Sequence, residues 1–188
     1  MTDAAPKPGH RLTLLKPVVL IGLMGAGKSS VGLRLAEMLG VSFQDSDHEI
    51  VAAAGREIPD IFDEFGESEF RRLERAVIAR LLDEENGVLA TGGGAFMQED
   101  TRTAIAERAI SVWLKADLSV LVSRTSGRTH RPLLNQGNPT EILAELIEKR
   151  YPIYALADVH VESFHEQTHE EMAARIIDGL RAKGAVED

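Results

Sequence analysis

The chain has 188 residues, 44% apolar and 27% charged, with a formal net charge of −9 and no cysteine. That length fits one domain with a real core, and the acidic balance argues against nucleic-acid or membrane-surface binding, since phosphates are repelled. Disulfides, thiolate metal sites and a cysteine nucleophile are excluded, and no apolar run approaches the ~20 residues of a membrane helix.

The opening MTDAAPKPGHRLTLLKP has no apolar stretch ahead of a cleavage site and so does not read as a secretory signal. With Pro6, Pro8 and Gly9 it is expected to be a flexible leader over residues 1–16. PVVLIGLMG (17–25) is a short β-branched apolar run ending in glycines, a buried strand. KSSVGLRLAEMLG follows as a helix: Val31, Leu35 and Leu39 recur every four residues, and Gly40 suits its C-cap. VSF (41–43) is a second strand. DHEIVAAAG and EIPDIFDEFG are helical pieces, each closed by a glycine. ESEFRRLERAVIARLLDEE is the longest amphipathic helix, with Phe70, Leu73, Val77, Ile78, Leu81 and Leu82 along one face.

GVLATGGG is a third strand running into Gly92, Gly93 and Gly94, and ERAISVWLKA contains a fourth. DLSVLVSRTS is helical with Asp117 as its N-cap. GRTHRPLLNQGNPT has no period and is a loop. PTEILAELIEKRYPIYALA is a helix that Pro152 is placed to bend or interrupt. DVHVES is a fifth strand, THEEMAARIIDGLRAKG a terminal helix, and residues 184–188 a tail. Strands alternating with helices predict a five-stranded parallel sheet covered on both faces, a three-layer α/β/α domain over 17–183. Ligands of such sheets sit outside the carboxyl ends of the strands. The glycine run, the acids near residue 45 and the triple glycine each follow a predicted strand, so they should meet at one sheet edge.

GLMGAGKS (22–29) fits G-x-x-x-x-G-K-[ST] and lies between a predicted strand and a predicted helix, the context this phosphate-binding loop requires. Its glycines let successive N–H groups cradle an anion, and the helix adds its positive dipole end. Lys28 is expected at the β- and γ-phosphates and the Ser29 hydroxyl on Mg²⁺. No N-K-x-D guanine signature is present, and the chain is short for a multi-domain motor, which favours a compact kinase. The third strand carries no acid, so the metal's carboxylate must come from elsewhere. That points to FQDSDHEI (43–50), which alone reads equally well as an acid-rich turn.

Six stretches together resemble the shikimate kinase family: GLMGAGKSSVGLRLA (22–36), DSD (45–47), EFRRLE (69–74), TGGGAF (91–96), RTHRPLL (128–134) and KRYPIY (149–154). They come in the family's order and at similar spacing, over about residues 17–183. The phosphate loop alone is unspecific; the combination is specific. The resemblance implies a P-loop fold like that of nucleoside monophosphate kinases, with a mobile lid at about 124–138. It implies ATP-dependent phosphorylation of the 3-hydroxyl of shikimate, on the route to chorismate and the aromatic amino acids. Gly25, Ala26, Gly27, Lys28, Ser29 and Ser30 would hold ATP phosphates, and Ser29 with Asp45 the Mg²⁺. Asp47 would take the attacking hydroxyl. Arg71 and Arg150 would clamp the carboxylate, a planar match for guanidinium forks, and Gly92, Gly93 and Gly94 would bring backbone against the substrate. Arg131 would close over ATP and stabilise the transferring phosphoryl group; Arg124 would lie beside adenine. Lys28, Asp47 and Arg131 are thus the expected catalytic residues.

On the helix pattern alone Arg71 reads as a solvated arginine like Arg72 or Arg75. Glu49 reads as a solvated first-turn charge, His130 as a solvent-facing loop residue, and Arg128 has no assignment. Ser30 stands where the family commonly has Thr, and VESFHEQTHEE lacks the arginine or proline often found near adenine, which leaves the contacts of 162–169 open. Two other readings compete. One is a different small-molecule P-loop kinase, for gluconate or a nucleoside monophosphate; gluconate also carries a carboxylate and hydroxyls, so Arg71 alone does not exclude it. A non-catalytic nucleotide-binding module would have no physical need of Lys28, Ser29, Asp45, Asp47 and Arg131 together. The expected protein is a cytoplasmic monomer that uses ATP and Mg²⁺, acts on shikimate, and meets neither nucleic acid nor membrane.

Overall fold

A computed structural model describes residues 12–84, 86–126 and 137–188. Its strands are β1 (Thr13–Leu14), β2 (Val18–Ile21), β3 (Phe43–Asp45), β4 (Val88–Ala90), β5 (Ile110–Ala116), β6 (Val159–Ser163) and β7 (Val186–Glu187). Its helices are α1 (Lys28–Leu39), α2 (Ser46–Ala54), α3 (Ile58–Asp83), α4 (Glu99–Arg108), α5 (Leu118–Thr125), α6 (Pro139–Tyr154) and α7 (His169–Ala182), with a 3₁₀ turn at Ala95–Met97.

The expected five-stranded parallel sheet forms in the order β3-β4-β2-β5-β6. All four residues of β2 and all three of β4 are buried, which is why both read as unbroken apolar runs. At the edge, β6 alternates buried and exposed residues. Helices flank the sheet: α1 packs with α7, α3 with α4, and α5 with α6. Leu20, Ile21, Leu35, Leu114, Leu121 and Ile176 are wholly buried between these layers.

Several boundaries differ from expectation for local reasons. The second strand starts at Phe43 rather than Val41 and ends on Asp45, so Asp45 and Asp47 are not two residues of one extended stretch. Asp45 caps α2, accepting from the N–H groups of Asp47 and His48, and Asp47 lies in that helix's first turn. The two helical pieces around Gly66 are joined into α3 across a kink, where Gly66 adopts φ 83° and ψ 172°. Helix α6 runs through Pro152 to Tyr154. Gly40 caps α1 in the left-handed conformation as expected. Asp117 occupies the N-cap of α5 without a side-chain bond to the helix. No apolar period marks residues 99–108, where α4 forms.

The leader expected through residue 16 and the tail expected from 184 are structured where they meet. β1 and β7 pair antiparallel, Leu14 opposite Val186, and the Leu15 N–H bonds Ala185 O at 2.9 Å. Burial of Leu14 and Val186 gives this ribbon its reason to form. Arg128, His130, Arg131 and most of the expected lid fall outside the described residues. Among the described residues no helix is long and apolar enough to cross a membrane.

Candidate active site

At the carboxyl end of β2 the chain curls through residues 22–27 into α1. Gly25 and Gly27 hold φ of 85° and 96°, a region that residues with a Cβ resist. Gly27 is itself the N-cap of α1, so the loop's N–H groups and the helix dipole converge on one point, the physical basis of anion binding. Lys28 Nζ bends back onto the loop, donating to Gly22 O at 2.6 Å and Leu23 O at 3.1 Å. Ser29 Oγ donates to Asp45 Oδ2 at 3.0 Å. The two residues expected to hold a metal are therefore already in contact. Among the described residues no cluster of three or more His, Asp or Glu could hold a metal by itself. One hydroxyl and one carboxylate do suit a hard cation that takes its remaining oxygens from phosphates and water.

Across the cleft, the end of β4 is pinned to β2: Thr91 N and Oγ1 both donate to Leu20 O, at 3.2 and 3.1 Å. Gly92, Gly93 and Gly94 follow, and a different side chain crowds each most closely, with Glu74 Oε2 a second neighbour of Gly92 at 3.4 Å. A Cβ on Gly92 would lie 2.9 Å from Asp47 Oδ1. One on Gly93 would lie 2.8 Å from Arg150 Nη1, and one on Gly94 would overlap the Arg71 guanidinium, 2.8 Å from its Cζ. These three side chains come from α2, α6 and α3. The triple glycine is the floor on which the expected acceptor site packs.

Burial sets the electrostatics here. It raises the Asp47 carboxyl above the usual carboxylate range; Asp45 adds to the rise, while Lys28, His48 and Arg71 oppose it. Glu74 is only 1% exposed and bonds Arg71 Nη1 at 2.7 Å. Burial pushes its carboxyl up, and the neighbouring guanidinium only partly offsets that. The Arg71 Nε is buried without a hydrogen-bond partner among the described residues, though the exposed Glu67 carboxylate ion-pairs with it at 3.6 Å. Arg72, one residue on, pairs with Glu69 on the exposed face. Glu49 pairs with Arg80 at 2.9 Å.

Arg124 staples the nucleotide end together. Its Nη1 reaches Gly25 O and Ala26 O, each at 3.3 Å, and Ser163 Oγ at 2.8 Å, while Nη2 reaches Phe164 O at 2.7 Å. Burial lowers its pKa. The cleft has a volume of about 1170 Å³ and is lined by Gly25, Gly27, Lys28, Ser29, Ser30, Asp45, Asp47, Arg71, Gly92, Gly93, Gly94, Arg124 and Arg150. Of the expected residues, Ala26 is buried beneath it, and Arg131 is outside the described residues.

The shikimate kinase family model matches residues 24–181. The chain belongs to the shikimate kinase family. A shikimate kinase of Paramagnetospirillum magneticum is 57% identical over 165 residues, 88% of this chain and 84% of that one. One from Caulobacter vibrioides is 59% identical over 148 residues, 79% and 74% of the two chains. Among solved structures, the shikimate kinase from Acinetobacter baumannii in complex with shikimate superposes with TM-score 0.85 at 38% identity, covering 90% of this chain and 94% of its own. A gluconokinase from Sinorhizobium meliloti, 22% identical with TM-score 0.62, shares the fold. As a shikimate kinase family member the chain is an ATP-dependent kinase.

Within this shikimate kinase family site, three residues went unassigned in the sequence. Ser46 Oγ accepts from the Gly92 N–H at 3.3 Å. Glu74 sits in the apolar stripe of α3, four residues after Phe70 and three before Val77, so a carboxylate on the buried face was the available signal. Tyr154 follows Arg150 by four residues, one helical turn on the same face, and its hydroxyl donates to Gly93 O. His165, Gln167, Thr168, His169 and Met172 line the nucleotide end, in the segment whose contacts the sequence left open.

Proposed function

We propose that this chain transfers the γ-phosphoryl of MgATP to the 3-hydroxyl of shikimate, giving shikimate 3-phosphate and ADP. The observation that carries the reading is the packing of Asp47 with Glu74, Arg150 and Arg71 against Gly92, Gly93 and Gly94 in turn. It sets the Asp47 carboxylate and two guanidinium groups, with Glu74 paired to one of them, at one end of the cleft, which suits a ring bearing hydroxyls and one carboxylate.

Arg71 and Arg150 bind the carboxylate and thereby orient the ring, a contribution of position rather than of new chemistry. Asp47 accepts the hydrogen bond of the attacking hydroxyl and aims its oxygen at the γ-phosphorus. A bond forms from that oxygen to phosphorus as the bond from phosphorus to the β–γ bridging oxygen breaks; ADP takes the electron pair, and the hydroxyl proton passes to the Asp47 carboxylate and on to solvent. Lys28 leaves the Gly22 and Leu23 carbonyls and moves to the phosphates, where the loop N–H groups hold the rest of the charge. Ser29 and Asp45 are the groups to hold Mg²⁺, which supplies further neutralisation of phosphate charge. Arg131, outside the described residues, is the expected source of further positive charge on the transferring group. The reading extends to a cytoplasmic monomer without nucleic-acid or membrane partners, in keeping with the net charge of −9 and the lack of cysteine.

Coupled ADP release with shikimate, gluconate, quinate and nucleoside monophosphates tests it. Shikimate is expected to stimulate turnover and the others to fall far behind. Lack of stimulation by shikimate sinks the reading, and preferential stimulation by gluconate replaces it.

A further inference from the structure

The glycine turn is fixed by its carbonyls. Gly92 O accepts from the Ala95 N–H and Gly94 O from the Met97 N–H, each at 3.2 Å. Those two bonds are local. The bond on Gly93 O is not: its donor is the Tyr154 hydroxyl, from α6. Among the described residues the Gly93 and Gly94 N–H groups have no acceptor, and both residues line the cleft.

Tyr154 is fully buried. Its ring lies against Trp113, Tyr151 and Phe96, with centroids at 6.0, 6.1 and 6.5 Å. Burial raises its pKa, against which the Arg150 guanidinium, one helical turn before it on α6, is near enough to favour the ionised phenol by charge. A Cβ on Gly93 would find Arg150 Nη1 at 2.8 Å and Tyr154 Oη at 3.7 Å. One phenol thus bonds the glycine turn at the residue that a clamp arginine of its own helix also crowds. Because a peptide unit is planar, holding the Gly93 carbonyl also sets the direction of the Gly94 N–H on the same unit.

We propose that Tyr154 is a positioning residue for the acceptor half of the site: its hydroxyl ties the Gly93 carbonyl to the helix that carries Arg150, so the glycine N–H groups and that guanidinium keep one fixed relation. The inference rests on the reading of Arg150 and the glycine turn as the shikimate site. Tyr151 supplies the internal control. It is a second largely buried phenol on the same helix, it also donates to a backbone carbonyl, that of Ala116, and it packs on Trp113 with centroids at 4.9 Å. Its bond ends on β5, not on the glycine turn.

The test compares Tyr154→Phe with Tyr151→Phe in the full chain. Shikimate and ATP are varied separately and thermal unfolding is measured alongside. Tyr154→Phe is expected to raise KM for shikimate about tenfold, the size of a lost buried hydrogen bond, with KM for ATP unchanged. Both variants are expected to lower Tm by similar amounts, and Tyr151→Phe to leave both KM values alone. A purely structural role would move the two variants alike. The inference is overturned if Tyr154→Phe keeps its shikimate KM, if its KM for ATP rises in step, or if Tyr151→Phe gives the same KM change. A wild-type chain that shows no shikimate-dependent ADP release overturns the functional reading and the inference with it; a shikimate-active wild type with an indifferent Tyr154→Phe overturns the inference alone.

Discussion

At the nucleotide end of the cleft the phosphate cradle is built of backbone N–H groups and a helix terminus, whereas at the acceptor end the charged groups are side chains carried by three different helices. Both ends are rich in glycine, for different reasons. Gly25 and Gly27 have positive φ and are needed for their dihedral angles. Gly92, Gly93 and Gly94 are absent from the positive-φ glycines; Gly94 sits at φ −91° and ψ −10°, open to any residue. The triplet is glycine for room: Asp47, Arg150 and Arg71 occupy the space a Cβ would take. One end selects a backbone shape and the other an absence of side chain. Substitutions should therefore fail in different ways at the two ends.

The largest effect is expected at Asp47. Asp47→Asn should lower kcat about 10³-fold with KM for ATP little changed, the scale of losing a positioned acceptor at the reacting hydroxyl; full turnover in that variant would remove Asp47 from the mechanism. The pH profile is tied to the same group. Burial and Asp45 make the carboxyl hold its proton to higher pH than an ordinary aspartate. Activity needs the ionised form, so kcat/KM should fall as pH drops through that raised pKa. The acid limb should then lie above the ordinary value of 3.8. A limb at or below that value would contradict the burial argument.

Gly94→Ala comes next and tests the space argument directly. It should lower kcat/KM for shikimate by about 10², because the displaced Arg71 guanidinium no longer aims at the carboxylate. The fold should survive, since the backbone there is unstrained. In an Arg71→Ala background the same substitution should cost little more, since nothing is left to displace; additive losses would show that the glycine serves something else.

The contrast also explains what the sequence made legible. The phosphate loop was readable because a backbone device needs glycine, Lys28 and Ser29 at fixed spacing, and linear spacing is what a sequence displays. The acceptor end is assembled from 47, 71, 92–94 and 150, whose proximity depends on strand order. Alternating elements give a parallel sheet, but they do not give β4 its place between β2 and β3. Arg71 and Arg72 were indistinguishable on the helix pattern; only the buried partner Glu74 separates them, Arg72 turning outward to Glu69. Helix α4 was overlooked because its buried positions are Thr101 and Ile105 alone, too sparse for a 3.6-residue period. The terminal ribbon escaped because two-residue strands carry no pattern.

A smaller effect should appear at the nucleotide end. Arg124→Ala removes the bonds that join Gly25 and Ala26 to Ser163 and Phe164. It should raise KM for ATP roughly tenfold while KM for shikimate holds steady. Equal change in both constants would mean that Arg124 supports the whole sheet edge rather than the phosphate loop, and the two ends would then be less separable than their construction implies.

The smallest effect on catalysis is expected where neither end reaches. The β1–β7 ribbon attaches at the amino ends of the strands: Asn86 Nδ2 donates to Leu14 O, and the Val18 N–H donates to Gly87 O, one residue before β4. The cleft lies at the carboxyl ends. Removing residues 186–188 exposes Leu14, strips a buried valine and breaks the Arg181–Asp188 contact, which is exposed and worth little. Stability should fall by about 1–3 kcal/mol, mostly from lost apolar burial, seen as a lower Tm, while kcat and both KM values stay at wild-type levels well below the transition. A loss of kcat at temperatures where the shortened chain is fully folded would mean that the amino edge of the sheet communicates with the cleft, and the division between an edge that stabilises and an edge that reacts would fail.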